Sequence, residues 1–111
     1  MANRLTTEQK KQYHLKHLFG INLSDYNKMH TRQNGRCAIC KKKETRRNHR
    51  SGKIRYLSVD HCHKTGRIRG LLCDKCNRML GMFEDNTTII AAMLKYLRKA
   101  ERANKKTKMA M

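Results

Sequence analysis

The chain has 111 residues, and 27 Lys and Arg against 8 Asp and Glu give a formal net charge of +19. This length suits one small domain, and no apolar run approaches the ~18 residues that cross a bilayer. Only 19 residues are Leu, Ile, Val or Phe, a composition typical of disorder at high charge unless something replaces the missing core.

The N-terminal third predicts two helices. Met1 to Lys11 is polar and has no apolar signal segment, so we expect an intracellular protein. Thr6 to about Phe19 has helical spacing, a capping box and Gly20 as a stop. A second helix is expected over Ser24 to Gln33, with Ser24 as N-cap and Asn34-Gly35 as the terminating turn.

Two CxxC pairs indicate a metal site. Cys37 and Cys40 form the first pair, Cys73 and Cys76 the second, and Cys62 is left over. In a reducing compartment this pattern favours a closed four-thiolate zinc site over disulfides, although four free or redox-active thiols are the alternative. Such a site contributes ~10 kcal/mol to folding, which is comparable to the net stability of a whole domain.

A basic run follows the first CxxC pair. Lys41 to Arg55 holds eight Lys or Arg residues against Glu44 alone. The overall charge indicates a polyanionic partner. Nucleic acid fits better than an anionic membrane, because the sequence has no long basic amphipathic segment with bulky aromatic residues. The run is either a solvated loop or a set of phosphate contacts. With Arg67 and Arg69, the expected DNA contacts are Lys41, Lys42, Lys43, Arg46, Arg47, Arg50, Lys53 and Arg55.

The second half of the chain predicts a hairpin and two helices. Strands are expected over Ile54 to Asp60 and Ile68 to Leu72, joined by a turn at Lys64-Thr65-Gly66. A short helix is expected from Asn77 to Phe83. Asp85-Asn86-Thr87 caps a last helix to about Ala103, whose apolar stripe is expected to be core. The expected division is 1–36 N-terminal helices, 37–84 zinc-bound core, 85–103 C-terminal helix packing on that core, and 104–111 frayed basic tail.

Polar residues around the hairpin have the chemistry of phosphodiester hydrolysis. Asp60 and Asn77 offer the oxygen ligands that Mg²⁺ prefers, and His61 can take a proton from water. Neighbouring strand residues point to opposite sides, so Asp60 can face a metal while His61 faces substrate. The alternatives are a turn residue at Asp60, a helix cap at Asn77, and extra zinc ligands at His61 or His63. Cys62 is also an alternative to one of the four paired thiolates as a zinc ligand.

The stretch 59–81, VDHCHKTGRIRGLLCDKCNRMLG, resembles the phage recombination endonuclease VII family of HNH, or ββα-metal, nucleases. The upstream stretches GINLSDY at 20–26 and GRCAIC at 35–40 are also similar to that family. The resemblance covers roughly residues 18 to 98. Cys62 stands where the founding enzyme has Asp, and the long C-terminal region of that enzyme has no counterpart, so junction resolution is not carried over.

The resemblance implies an α+β, zinc-stapled ββα-metal fold with two N-terminal helices and a C-terminal helix. It implies that Asp60 and Asn77 hold a catalytic Mg²⁺ or Mn²⁺ and that His61 is the general base. His63 would support the substrate phosphate or the metal. The residues matching the structural zinc ligands are Cys37, Cys40, Cys73 and Cys76.

Together these features predict a one-metal DNA endonuclease that acts on double-stranded or branched DNA and has no membrane partner. One site cuts one strand, so a double-strand break requires a homodimer or two successive nicks. If phage-encoded, the protein acts in the cytoplasm of a bacterial host. The alternatives are a non-catalytic zinc module that binds DNA or RNA, and a structural basic protein.

Overall fold

The computed structural model describes the backbone of residues 6–110 and the side chains of residues 6–104. Met1–Leu5 of the polar N-terminus and Met111 of the expected tail lie outside the described residues. The α+β class is confirmed. In chain order the elements are α1 (Thr7–Phe19), α2 (Leu23–Arg32), β1 (Ser58–His61), β2 (Ile68–Leu72), α3 (Asp74–Met82) and α4 (Thr87–Ala110).

The caps decide where the first two helices begin. The Thr6–Gln9 capping box of α1 is confirmed, as is its left-handed stop at Gly20 (φ 67°). Helix α2 begins at Leu23, and its N-cap is Asn22, two residues before the expected N-cap at Ser24. The Asn22 side chain accepts from the Asp25 backbone N–H at 2.8 Å, and the Asp25 carboxylate accepts from the Asn22 N–H at 3.2 Å. This reciprocal pair satisfies two helix-end donors, which a Ser24 cap alone would not.

The first strand is shorter than predicted. Residues 54–57 precede β1, and Ile54 instead forms an isolated antiparallel bridge with Arg47. The backbone closes a loop between these positions, where the Asn48 N–H donates to the Lys53 carbonyl at 2.8 Å. The apolar pattern predicted one extended segment. It did not show that the start of this segment pairs with Arg47 and its end with β2.

The β1–β2 hairpin contains a bulge. Asp60 pairs with Gly70 and His61 with Ile68, so Arg69 is an extra residue on β2. Bulges bend a strand and redirect side chains, and they are frequent next to functional sites. The Gly66 backbone (φ 73°) closes the connecting turn, donating to the Cys62 carbonyl at 2.7 Å.

Helix α3 begins inside the second CxxC pair, and the expected start at Asn77 is wrong. Asp74 is its first residue, and Glu44 of the basic run accepts from the Asp74 N–H at 2.7 Å. This long-range cap satisfies a helix-end donor in place of a local signal. Asn77 therefore lies within the helix, and its N–H donates to the Cys73 carbonyl at 3.0 Å.

The last helix extends to Ala110, past the expected end at Ala103. Its apolar stripe was expected to be core, but Met93, Leu94 and Leu97 are 44%, 48% and 58% exposed. The sequence pattern identified an apolar face without identifying what would cover it. No helix within residues 6–110 is long and apolar enough to cross a membrane.

The chain divides into two compact units, Met1–Asn77 and Arg78–Met111. The first unit holds the buried aliphatic residues Leu15, Leu57, Val59, Leu71 and Leu72. Tyr26 of α2, 2% exposed, donates its hydroxyl to the Leu57 carbonyl at 2.6 Å. The second unit contains the end of α3 and all of α4.

Candidate metal centre and active site

The two CxxC pairs meet in one cluster. The Sγ atoms of Cys37, Cys40, Cys73 and Cys76 all lie within 4.8 Å of one another, and those of Cys40 and Cys73 are 3.9 Å apart. Four thiolates bound to zinc at ~2.3 Å in a tetrahedron would have sulfurs about 3.8 Å apart. The four cysteines are therefore arranged to bind a metal ion.

Three elements position these thiols. A tight turn holds the first pair, in which Lys41 adopts a positive φ of 62° and its N–H donates to the Cys37 carbonyl at 3.0 Å. The Ala38 N–H donates to the Leu71 carbonyl at 3.1 Å and fastens this turn to β2. Cys73 follows β2 directly, and Cys76 lies in the first turn of α3.

A glutamine side chain strengthens the same junction. The Gln33 amide at the end of α2 donates to the Leu71 carbonyl and accepts from the Leu71 N–H, each at 2.9 Å. It thus pairs with the outer edge of β2 as another strand would. Gly70 is suited to this approach, because a Cβ there would lie 3.3 Å from the Gln33 Oε1.

The crowded thiols have divergent pKa values. Burial works to raise the pKa of Cys37, but hydrogen bonds from the surrounding backbone and from Cys40 together lower it to about 6. Burial raises the pKa of Cys76 to about 12, and its three neighbouring thiols add to the rise. The pKa of Cys73 is also raised, chiefly by burial. One thiolate is thus favoured without a cation, and a bound cation would favour all four.

The Asp60 carboxylate is nearly buried, with its residue 8% exposed. Arg69 of the bulge donates to both of its oxygens, from Nε at 2.8 Å and from Nη2 at 3.0 Å. A two-pronged ion pair of this kind fixes the orientation of the carboxylate. The bulge places Arg69 opposite Asp60, which the sequence pattern did not reveal.

His61 follows Asp60 on β1 and is half-buried. Its ring packs against Phe19 of α1 at 5.4 Å between centroids, and against the edge of His63 at 4.9 Å. The strand therefore places a shielded carboxylate and a more accessible imidazole side by side. His63 itself is exposed in the turn that follows β1.

The predicted metal ligand Asn77 lies in α3, one residue after Cys76, and is half-buried. Among the described residues, the four side chains of the cysteine cluster lie close enough together to share one metal ion. His61, Cys62 and His63 are outside it.

Part of the basic run has partners within the protein. Arg46 and Arg55 both contact the Asp74 carboxylate, at 2.5 and 3.4 Å, and Arg47 donates to the Gly52 carbonyl at 2.8 Å. The Lys41 Nζ donates to the Ala38 carbonyl at 2.7 Å. All four side chains belong to exposed residues. The other predicted DNA contacts are also exposed: Lys42, Lys43, Arg50, Lys53, Arg67 and Arg69.

Sequence reasoning missed Glu44 and Asp74, which tie the basic run to α3. Glu44 accepts from the Thr45 and Arg46 backbone at 3.0 Å as well as from Asp74. The available signal was that Glu44 is the one acidic residue in a run of eight cations. An isolated acid in such a run indicates a specific contact.

Cys62 has a separate environment in the hairpin turn. Hydrogen bonds from the Thr65 side chain and from the Thr65 and Lys64 backbone lower the pKa of its thiol. Its N–H donates to the Arg67 carbonyl at 2.8 Å. This cysteine is half-buried and lies apart from the four-cysteine cluster.

Comparison with known proteins agrees with this arrangement. The family model for recombination endonuclease VII matches residues 10–99, which include all four clustered cysteines, Asp60, His61 and Asn77. No curated protein and no solved structure gives a significant match. Because the family match covers most of its length, this chain belongs to the recombination endonuclease VII family.

Proposed function

We propose that the protein is a metal-dependent DNA endonuclease of the HNH type that hydrolyses phosphodiester bonds. The observation that supports this most is the pairing of a buried Asp60 with an accessible His61 on β1, in a chain whose residues 10–99 match an endonuclease family. A protein that only binds DNA has no need of this pair.

The residues present fit a hard divalent cation. Asp60 and Asn77 would hold Mg²⁺ or Mn²⁺ through oxygen atoms, and the ion would neutralise charge at the scissile phosphate. In the structure, Arg69 donates hydrogen bonds to both Asp60 carboxylate oxygens. Its release from Asp60 would leave a guanidinium next to the cut site, where it can contact phosphate.

His61 is proposed as the general base that takes a proton from the attacking water. Phe19 and His63 limit the positions of its ring through their contacts at 5.4 and 4.9 Å. Hydrolysis in this manner would leave 5′-phosphate and 3′-hydroxyl ends. His63 is proposed to support the phosphate or the metal from the adjoining turn.

Zinc is proposed as the ion of the cysteine centre, with a structural role. Four sulfur ligands leave no open position for substrate, and sulfur donors select zinc while oxygen donors select magnesium. The centre joins the 37–40 turn, the end of β2 and the start of α3. It thereby holds the hairpin that carries Asp60 and His61.

The high positive charge is proposed to hold DNA through its phosphates. The exposed cations of the basic run, with Arg67 and Arg69, would supply contacts that position the backbone without reading sequence. Binding should therefore weaken steeply as salt rises. A homodimer, or two successive nicks, would be required for double-strand cleavage.

Nicking of supercoiled plasmid tests the proposal. Zinc-loaded protein is expected to convert the plasmid to the open-circular form with Mg²⁺ or Mn²⁺, and not with EDTA. Mobility shift on the same plasmid shows whether DNA is bound. Binding without nicking in either metal would overturn the proposal and favour the non-catalytic zinc module instead.

A further inference from the structure

A cavity lies near the proposed active site, within the first unit. It is a cavity of about 610 Å³ between α1 and residues 48–59, with Tyr26 of α2 at its wall; we call it the α1 pocket. This volume falls in the range that small organic ligands occupy in proteins. Neither the cysteine centre nor Asp60 lines it.

The walls of the α1 pocket combine two kinds of surface. Leu15, Leu57 and Val59 supply an apolar floor, and all three are buried. Lys10 and Lys53 supply exposed ammonium groups, and no lining residue is acidic. Hydroxyl and amide groups are also present among the described lining residues, from Thr7, Asn48, Ser51 and Ser58.

Aromatic rings in the pocket are held in place. The Lys11 ammonium lies 3.7 Å from the ring centroids of both Tyr26 and Tyr56, and cation–π contacts of this kind are strongest when partly desolvated. Burial lowers the pKa of Lys11, against an opposing effect of Glu8. Tyr56 remains 58% exposed, so a fixed ring also offers surface to a ligand.

The pocket adjoins the proposed general base. Phe19 lines the pocket and its ring packs on His61 at 5.4 Å between centroids. A DNA strand advances about 3.4 Å per nucleotide along the helix axis. A strand whose phosphate lies at His61 would therefore bring a nucleotide near the cut to the pocket.

We propose that the α1 pocket binds one nucleotide of the strand being cut, with the base against Tyr56 and the apolar floor and the phosphate at Lys10 and Lys53. A heterocycle with an attached phosphate matches an apolar and aromatic wall with a cationic rim. Leaving the helical stack costs the base free energy, which stacking on an aromatic ring offsets. The inference rests on the proposed nuclease function only in assigning the nucleotide to the cut strand.

Amide chemical shifts test the pocket directly. Zinc-loaded, ¹⁵N-labelled protein without Mg²⁺ is titrated with each deoxynucleoside monophosphate, and separately with inorganic phosphate. Saturable shifts are expected at Lys11, Leu57 and Val59, with inorganic phosphate at least about tenfold weaker because it lacks the stacking base. Equal affinity for phosphate, or shifts confined to residues outside the pocket, would overturn the proposal.

Matched variants distinguish the contribution of the base to nucleotide binding from that of the phosphate. Tyr56→Ala is expected to weaken nucleotide binding about tenfold while Tyr56→Phe retains it, because the ring and not the hydroxyl stacks. Lys10→Gln should weaken nucleotide binding, whereas Lys16→Gln removes the same charge from α1 outside the pocket and should not. Circular dichroism confirms that each variant is folded. Unchanged affinity in folded Tyr56→Ala would contradict the assignment.

Nicking by the same preparations distinguishes the two proposals. Protein that nicks plasmid but shows no nucleotide binding at the pocket would refute the pocket and leave the nuclease intact. Nucleotide binding at the pocket without nicking would refute the nuclease and leave the pocket intact. In active protein, Tyr56→Ala is expected to flatten the base preference at one position near the cut in a nucleotide-resolution cleavage map.

Discussion

At the scale of single residues, Asp60 has Arg69 as its observed partner, and the proposed catalytic cation would compete with it. Arg69 donates to both carboxylate oxygens, and these are the atoms that would face a catalytic cation. A guanidinium within 3.0 Å opposes a second positive charge at the same carboxylate. The ion pair thus holds the Asp60 carboxylate in one orientation.

We expect Arg69→Gln to tighten Mn²⁺ binding about tenfold in the absence of DNA, because the competing charge is removed. Electron paramagnetic resonance of free Mn²⁺ during titration measures this without relying on activity. Arg67→Gln is the matched control, since it removes the same charge from the hairpin and should leave the affinity nearly unchanged. Weaker Mn²⁺ binding in Arg69→Gln would contradict this account.

Cys62 is expected to react selectively, since the thiolate is the nucleophile and hydrogen bonds lower the pKa of this thiol. The thiolate fraction grows as pH rises through the pKa, so the midpoint of the pH dependence of alkylation by iodoacetamide should lie below the ordinary thiol value of 9.0. Mass spectrometry of zinc-loaded protein should show one modified cysteine.

Thr65→Val removes the side-chain hydrogen bond and should shift this midpoint to higher pH. A midpoint at or above pH 9.0 in the parent protein, or modification of the clustered cysteines before Cys62, would contradict this prediction.

At the scale of elements, the features that were predicted correctly are local, although the local cap at Asn22 was missed, and contacts between distant segments were not predicted. The capping box at Thr6 and the turn at Gly66 are written within a few residues, and both were predictable. The start of α3 depends on Glu44, thirty positions before Asp74, and no local pattern records it. The bulge at Arg69 likewise depends on how two strands pair.

The same distinction applies to the candidate site. The spacing of the CxxC pairs predicted their convergence, because few arrangements other than a shared ion explain it. The Asp60–Arg69 pair and the Phe19–His61 contact could not be predicted, since each requires the register or packing of separate elements.

Cys73→Ser is expected to abolish tight zinc binding and to unfold most of the first unit, because a four-thiolate site contributes ~10 kcal/mol and joins β2 to α3. Zinc content by elemental analysis and thermal melting by circular dichroism measure the two effects. Cys62→Ser is the control, and it should keep both zinc and melting temperature. Unchanged melting in Cys73→Ser would rule out a structural role for the ion.

At the scale of the whole molecule, a high positive charge accompanies a small apolar core. Nineteen large aliphatic or Phe residues are few for a chain with a net charge of +19, and the proposed zinc ion would supply cohesion that the small core lacks. Glu44 and Asp74 neutralise part of the basic run and anchor it to α3. The exposed cations that remain are the groups proposed to contact DNA phosphates.

The rate of plasmid nicking by His61→Ala tests the central claim most directly. Under single-turnover conditions with Mg²⁺, loss of a general base should slow nicking by at least about 100-fold, while zinc content, melting temperature and plasmid binding stay unchanged. His17→Ala, an exposed histidine of α1, is the matched control and should nick at the parent rate. Parent-level nicking by folded His61→Ala would contradict the account.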